Sequence, residues 1–399
     1  MHNEKTESKY SAFVDPVCCL VILVVALAIG LVGLSHSGEQ WLDDGPRYCN
    51  DGAMVHDWLV SDDLLDPVGF AKENYIKYPA HNVPYHPPGY ACMLGGWFLT
   101  AGMSYASARL FIALCLGGTL CFFYGILRRQ GIAPWISVMT TLLLGTSPEI
   151  VQWSRSAMSE IPGMLFIVAG SYCFVRYVEV AKARWCWFAF LLAGIAFFCR
   201  LSTAGVLPAW FLFLLITKGY RRLLSPHLIF LAIAYLAIGA VWVKFVASVA
   251  TNEVRQSLTD RLTSFYSIEN LSMWIRGLPS MVGWITLVAA ICGLFMAFRD
   301  QKSRNFACFW FLWFVSCYLF QLALSGHFEA RYFVLAVPPI CALAGGLLLI
   351  KLPSEKWRSV VISAIGLAIA TNTYFIFRMP QGLLGYEAVA SQLVSQDES

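Results

Sequence analysis

Apolar runs alternate with short polar breaks along almost the whole chain, and the breaks are too short to build soluble domains. The runs Val17–Leu34, Tyr105–Leu127, Pro134–Pro148, Ile161–Val178, Cys186–Cys199 and Ala204–Thr217 are followed by Leu228–Val246, Leu278–Phe298, Phe306–Leu324, Tyr332–Ile350 and Val360–Phe377. Read against the roughly 20 residues that a helix needs to cross a bilayer, they predict an all-α polytopic membrane protein of about eleven transmembrane helices. The first run is longer than a signal-peptide core, and Ser35-His36-Ser37-Gly38 after it is a poor cleavage site. It reads as a retained signal anchor. Residues 35–103 form a loop with several prolines and short apolar patches such as Met54–Leu59, which suit helices lying along the interface. Gly89–Met103 is marginal for a crossing and is read as interfacial or re-entrant. Residues 1–380 then make one integral-membrane domain, and 381–399 a short tail.

Charge sets the expected orientation. The clusters Arg128-Arg129, Lys182 with Arg184, Lys218 with Arg221-Arg222, Arg299 with Lys302 and Arg304, and Lys351 with Lys356 and Arg358 all fall at alternate ends of the runs. Short loops rich in Lys and Arg stay inside. The amino terminus is therefore expected in the cytoplasm of a plasma (inner) membrane, with the long loops outside. This alternation holds only if Gly89–Met103 does not cross. Composition agrees: 58% of residues are hydrophobic and 13% charged, where a soluble domain carries about 25% charged residues. No basic stripe interleaves with aromatics, so no nucleic-acid partner is expected. Twelve of the 13 cysteines lie in apolar runs, and the sequence has no CxxC. A disulfide framework or a zinc site is not expected.

The unusual chemistry collects on the expected outer side. Trp41-Leu42-Asp43-Asp44-Gly45-Pro46-Arg47-Tyr48 puts two carboxylates, a guanidinium and a phenol where the chain leaves the first span. Such acids are often solvated helix caps, but a carboxylate partly covered by the loop that follows can act as a general base. Trp153-Ser154-Arg155-Ser156-Ala157-Met158-Ser159-Glu160 supplies a second acid, which at a helix start is also ordinary favourable charge. Tyr85-His86-Pro87-Pro88-Gly89-Tyr90 holds aromatic and imidazole groups on a proline-stiffened turn. Arg155, Arg200 and Arg331-Tyr332 fall on the side where topology disfavours positive charge, which points to an anionic ligand such as a phosphate.

The order of these pieces resembles the glycosyltransferase C superfamily, and most closely its dolichyl-phosphate-mannose protein mannosyltransferase and aminoarabinose transferase branch. Asp44-Gly45-Pro46-Arg47-Tyr48 is similar to an acidic D-E-x-x-Y motif after the first helix, with Gly45 in place of the Glu. His86-Pro87-Pro88 matches an HPP-like turn, Ser104–Arg109 an Ala-Arg helix start, Glu160 a second acid that is usually Asp, and Arg331-Tyr332 a late Arg-Tyr before Pro338. The resemblance implies an inverting transferase that moves a sugar from a polyprenyl-phosphate donor to an acceptor hydroxyl on a glycan, lipid or protein. It implies Asp44 and Glu160 as catalytic residues, with Arg331, Tyr332, Arg200 and Arg155 on the donor phosphate. Asp43, Arg47, Tyr48, Tyr85 and His86 would line the substrate, with Asp43 a substitute for the missing Glu. The scheme requires no cofactor and no metal, and leaves a divalent cation as an optional addition. Two alternatives stay open: a membrane transporter, and a polysaccharide polymerase or ligase acting on lipid-linked sugars.

Overall fold

The computed structural model describes residues 2–34, 38–39, 44–78, 86–249, 268–324, 329–350, 354–378 and 383–384. These residues are almost entirely helical. In chain order the helices are α1 (His2–Leu31), α2 (Asp44–Val60), α3 (Pro67–Lys77), α4 (Gly89–Ala101), α5 (Tyr105–Arg129) and α6 (Pro134–Thr146). Then come α7 (Pro148–Ser154), α8 (Glu160–Val180), α9 (Ala183–Cys199), α10 (Leu207–Lys218), α11 (Tyr220–Leu223) and α12 (Pro226–Val249). The last are α13 (Ile268–Val282), α14 (Trp284–Arg299), α15 (Arg304–Leu324), α16 (Val337–Gly346) and α17 (Glu355–Arg378). A two-residue antiparallel ladder pairs Gly38 with Leu384 and Glu39 with Leu383, joining the segment after α1 to the C-terminal tail. The rest of that tail lies outside the described residues.

Eight of the described helical segments are long and apolar enough to cross a membrane. A count of about eleven also needs both shorter apolar helices, α6 and α9, and the α13–α14 pair to cross. The expected continuous span Leu278–Phe298 is broken: α13 and α14 meet at 114°, with Gly283 at φ +80° between them. Pro279 lies one turn before the break. A left-handed residue of this kind ends a helix, and glycine adopts it without strain.

Two other spans begin as 3-10 turns rather than α-helix. Leu201–Val206 leads into α10, and Ala330–Ala336 leads into α16. Each following helix has proline in its first turn, where the missing N–H costs nothing. The tighter 3-10 winding sets where Arg200 and Arg331 point.

The core is built by α1 against α5, α5 against α8, α8 against α9, and α14 against α16. Two arginines, Arg109 buried and Arg155 partly so, close one end of this bundle. Arg109 on α5 donates from Nη2 to the carbonyls of Gly30 at 2.6 Å and Val32 at 2.9 Å. Arg155 donates from Nη2 to the same Val32 carbonyl at 3.3 Å and from Nη1 to that of Ile376 at 2.8 Å. These are carbonyls at the ends of α1 and α17, which have no partner within their own helices. Cations there also complement the helix dipole.

Helix α2 buries Gly45, Tyr48, Asp51, Gly52 and Val55, a stripe at three- and four-residue spacing. That stripe packs on α4, where a side chain at Gly95 would come 2.7 Å from Val55 and 2.9 Å from the Gly52 carbonyl. The backbones therefore meet without a side chain between them, and α2 brings its first residue, Asp44, to a defined place. A Gly95→Ala substitution should force the two helices apart and lower stability by about 1–3 kcal/mol. A fall in the thermal unfolding midpoint in detergent, with no change in expression of properly inserted protein, is the expected readout.

Candidate active site

Four stretches far apart in sequence meet at one cluster of charge. Asp44 opens α2. Glu160 opens α8. Arg200 follows the last residue of α9, and Arg331 lies in the 3-10 turn before α16. Each is at the end of an element rather than in the middle of one.

Arg331 binds Asp44 through Nη1 at 2.5 Å and Glu329 through Nε at 2.5 Å. Its Nη2 donates to the Tyr332 hydroxyl at 3.3 Å, and its guanidinium lies 5.1 Å from the Tyr332 ring centre. Arg200 binds Glu160 through Nη1 at 2.6 Å, Ser202 through Nε at 3.2 Å, and the Arg331 carbonyl through Nη2 at 3.1 Å. It also lies 5.6 Å from the Tyr332 ring. The two guanidinium groups thus share the Tyr332 ring and are linked through the Arg331 backbone.

The two acids differ. Glu160 is fully buried, with one oxygen on Arg200 and Oε2 without a hydrogen-bond partner. The Asp44 side chain keeps 17% of its surface and Arg331 keeps 18%. Arg47 sits one turn along α2, half exposed and 4.0 Å from Asp44.

An aromatic wall closes one side. Tyr48 is buried, its ring 5.3 Å from His86 and 5.3 Å from Tyr90. The Ser159 hydroxyl donates to the Tyr48 hydroxyl at 3.3 Å, and Ser159 itself receives Arg200 Nη1 at 3.4 Å. Burial, and then the charge of Glu160, push the Tyr48 phenol above its usual range. His86 is drawn down to about 4, mainly by burial. Asp44 opposes that shift, while Arg200, Arg331 and Arg47 add to it. His86 is thus neutral near pH 7 and is a hydrogen-bonding group rather than a cation.

Glu149 on α7 was not singled out in the sequence, where Ser147-Pro148-Glu149 looks like an ordinary helix start. It is buried and accepts a hydrogen bond from Trp153 Nε1. Burial raises its carboxyl to about 7, with the charges of Glu160 and Glu329 adding to the rise and Trp153 and Arg200 opposing it.

Of the residues expected at the site, Asp44, Arg47, Tyr48, His86, Glu160, Arg200, Arg331 and Tyr332 come together. Arg155 does not join them, because its guanidinium is spent on the carbonyls of Val32 and Ile376. Asp43 and Tyr85 lie outside the described residues. Glu329 and Ser159 complete the network as partners of Arg331 and Arg200. Among the described residues no group of three or more His, Cys, Asp or Glu side chains is placed to hold a metal ion.

A family profile described as dolichyl-phosphate-mannose-protein mannosyltransferase matches residues 85–244, from the His86-Pro87-Pro88 turn to α12. Two crystal structures of ArnT from Cupriavidus metallidurans superpose with a TM-score of 0.58 each. One is bound to undecaprenyl phosphate, with 17% sequence identity, and one is in the apo state, with 19%. The chain shares the fold of these ArnT structures. The superpositions cover 86% of this chain and 62% of the ArnT chain, so the present protein spans less than two thirds of that enzyme's length. No curated protein sequence matches the chain.

Two outcomes follow from the buried charges. Arg200→Ala leaves the Glu160 carboxylate buried without its partner and should cost about 3–5 kcal/mol, read as a lowered unfolding midpoint. Glu149 has its folded pKa raised above the unfolded value of about 4. Its contribution is therefore full below about pH 4 and is lost as pH rises through about 7. Wild-type protein should lose thermal stability between pH 5 and pH 8, on the order of the window set by that shift, and Glu149→Gln should flatten this loss. An unchanged pH slope in the variant would contradict the assignment.

Proposed function

We propose that the protein is an inverting glycosyltransferase that moves a sugar from a polyprenyl-phosphate donor to an acceptor hydroxyl on the extracytoplasmic side of a plasma membrane. The observation that carries this reading is the direct contact of Asp44 with Arg331, side chains 287 residues apart in sequence. An in-line displacement at an anomeric carbon needs a base for the incoming hydroxyl and a cation for the departing phosphate. The contact puts one candidate for each role within a single hydrogen bond.

Asp44 takes the proton from the acceptor hydroxyl. The acceptor oxygen then attacks the anomeric carbon as its bond to the phosphate oxygen breaks. The bonding electrons leave with the polyprenyl phosphate, and the configuration inverts. Arg331 stabilises the charge that develops on that phosphate. Its planar fork suits a phosphate, and it is the more accessible of the two site arginines. The same fork is occupied by Asp44 and Glu329, so a donor phosphate that draws Arg331 away also frees Asp44 to act as a base. Arg200 acts from behind, spending its donors on Glu160, Ser159, Ser202 and the Arg331 carbonyl. It fixes the segment that carries Arg331. Glu160 holds Arg200 and orients the acceptor through Ser159 and Tyr48.

Several observations support the rest of the reading. ArnT, of the same fold, has been crystallised with undecaprenyl phosphate, which favours a polyprenyl phosphate as the carrier. The short basic loops favour a cytoplasmic amino terminus and an outer location for the charge cluster. The acceptor is a glycan, a lipid or a protein. A transporter would be expected to carry its ionisable groups at mid-membrane in broken helices, whereas here they gather at element ends.

Purified protein assayed with labelled polyprenyl-phosphate sugars should show transfer with inverted product configuration. Asp44→Asn should reduce turnover by about 10²-fold or more. Arg331→Lys, which keeps the charge and loses the fork, should lower kcat/KM for the donor more than it lowers stability. Full turnover in the Asp44→Asn protein would remove Asp44 from the reaction.

A further inference from the structure

Helix α7 carries one ionisable side chain, Glu149. The helix packs against the 3-10 turn that holds Arg331, and against α1, α5, α6, α8, α13 and α17. Glu149 and Trp153, one turn on, are both buried, and the Trp153 indole N–H donates to Glu149 Oε1. Among the described residues no cation pairs with Glu149, although Arg200 is near enough to act on its charge.

The neighbouring arginines are already engaged at every nitrogen. Arg200 meets Glu160 and Ser159 through Nη1, Ser202 through Nε and the Arg331 carbonyl through Nη2. Arg331 meets Asp44 through Nη1, Glu329 through Nε and Tyr332 through Nη2. With Arg47 beside Asp44, three guanidinium groups face three carboxylates, and Glu149 is a fourth acid in their field. A buried carboxyl whose one donor is a neutral N–H is held as the acid. Other ionisable groups on the elements around α7 do not answer it. Arg109 on α5 and Arg155 after α7 are held by helix-end carbonyls. Arg128 and Arg129, at the far end of α5, pair with Asp15 on α1 and Glu179 on α8. Helix α6 has none. Glu269 and Arg276 on α13, and Glu355, Lys356, Arg358 and Tyr374 on α17, are exposed.

We propose that Glu149 is a positioning residue for the donor phosphate: as the neutral acid it leaves the charge of Arg200 and Arg331 to a bound phosphodiester, and as a carboxylate it weakens that hold. This role rests on the transferase reading above. A phosphodiester donor brings one negative charge. With Glu149 neutral it enters a balanced cluster, and with Glu149 ionised it enters one that already has an excess of negative charge, which like-charge repulsion disfavours. The Glu149 carboxyl changes charge at about pH 7. His86, drawn down to about 4, and the Tyr48 phenol, pushed above its usual range, both stay neutral through that region.

A direct binding titration on the full-length protein tests this. The probe is polyprenyl methyl phosphate, a phosphodiester with no sugar and a single charge at every pH used. Wild-type affinity should fall about fivefold from about pH 5.5 to about pH 8.5. Glu149→Gln should match the wild type at the lower pH and keep that affinity at the higher one. Trp153→Phe removes the donor that favours the carboxylate, so the midpoint of the fall should move to higher pH. A merely structural Glu149 would change affinity equally at all pH values. An equal fall in wild type and Glu149→Gln, or no fall in the wild type, would overturn the proposal while leaving the transferase reading in place. No binding by the wild type at the lower pH would overturn both.

Discussion

The need to neutralise two guanidinium groups out of bulk water organises this site. Arg200 is almost fully buried and Arg331 is largely so, and each is matched to carboxylates: Glu160 for the first, Asp44 and Glu329 for the second. A buried charge without a partner costs several kcal/mol, so these pairs must form together or the segments that carry them do not settle. The 3-10 turns before α10 and α16, the start of α2 and the start of α8 are tied to one another by this requirement. The hydrogen bond from Arg200 to the Arg331 carbonyl then makes one network of what would otherwise be two separate ion pairs.

The arrangement joins stability to the proposed chemistry. Asp44 and Arg331, the base and phosphate-binding cation of the proposed reaction, neutralise each other, so neither is left as an isolated charge. In the proposed reaction a donor phosphate would exchange one anionic partner of Arg331 for another. Arg200 and Glu160 stay fixed through that exchange because their remaining contacts are to Ser159, Ser202 and backbone. His86, held neutral by burial, and the Tyr48–Tyr90 wall give the cluster a rigid and uncharged flank.

The bend between α13 and α14 sets up a similar conflict between a polar group and an apolar setting. There the break at Gly283 puts Val282, whose carbonyl would be the usual partner, across a 114° bend, and among the described residues the Thr286 hydroxyl has no hydrogen-bond partner. In the charge cluster every cation has found an anion within the chain.

Much of the architecture was legible in the chain itself. Runs of apolar residues declare spanning helices because a bilayer allows few other backbones, and the position of Lys and Arg orders them. Asp44, Tyr48, His86, Glu160 and Arg331 stood out as polar groups at the edges of such runs, and they meet in space. The break inside Leu278–Phe298 was hidden, because hydropathy does not register a single left-handed glycine. The part of Arg155 was hidden for a related reason. From sequence it is one more arginine at a membrane edge, equivalent to Arg200. Only the packing of α1 and α17 beside it shows that its donors close helix ends, while Arg200 faces Glu160. Glu149 drew no notice in the sequence, because only its burial beside Trp153 sets its carboxyl apart from other acids at helix starts. Hydropathy and charge order act along the chain and can be read there. Which carboxylate each guanidinium meets depends on contacts between residues as far apart as Asp44 and Arg331, and those exist only after the helices have packed.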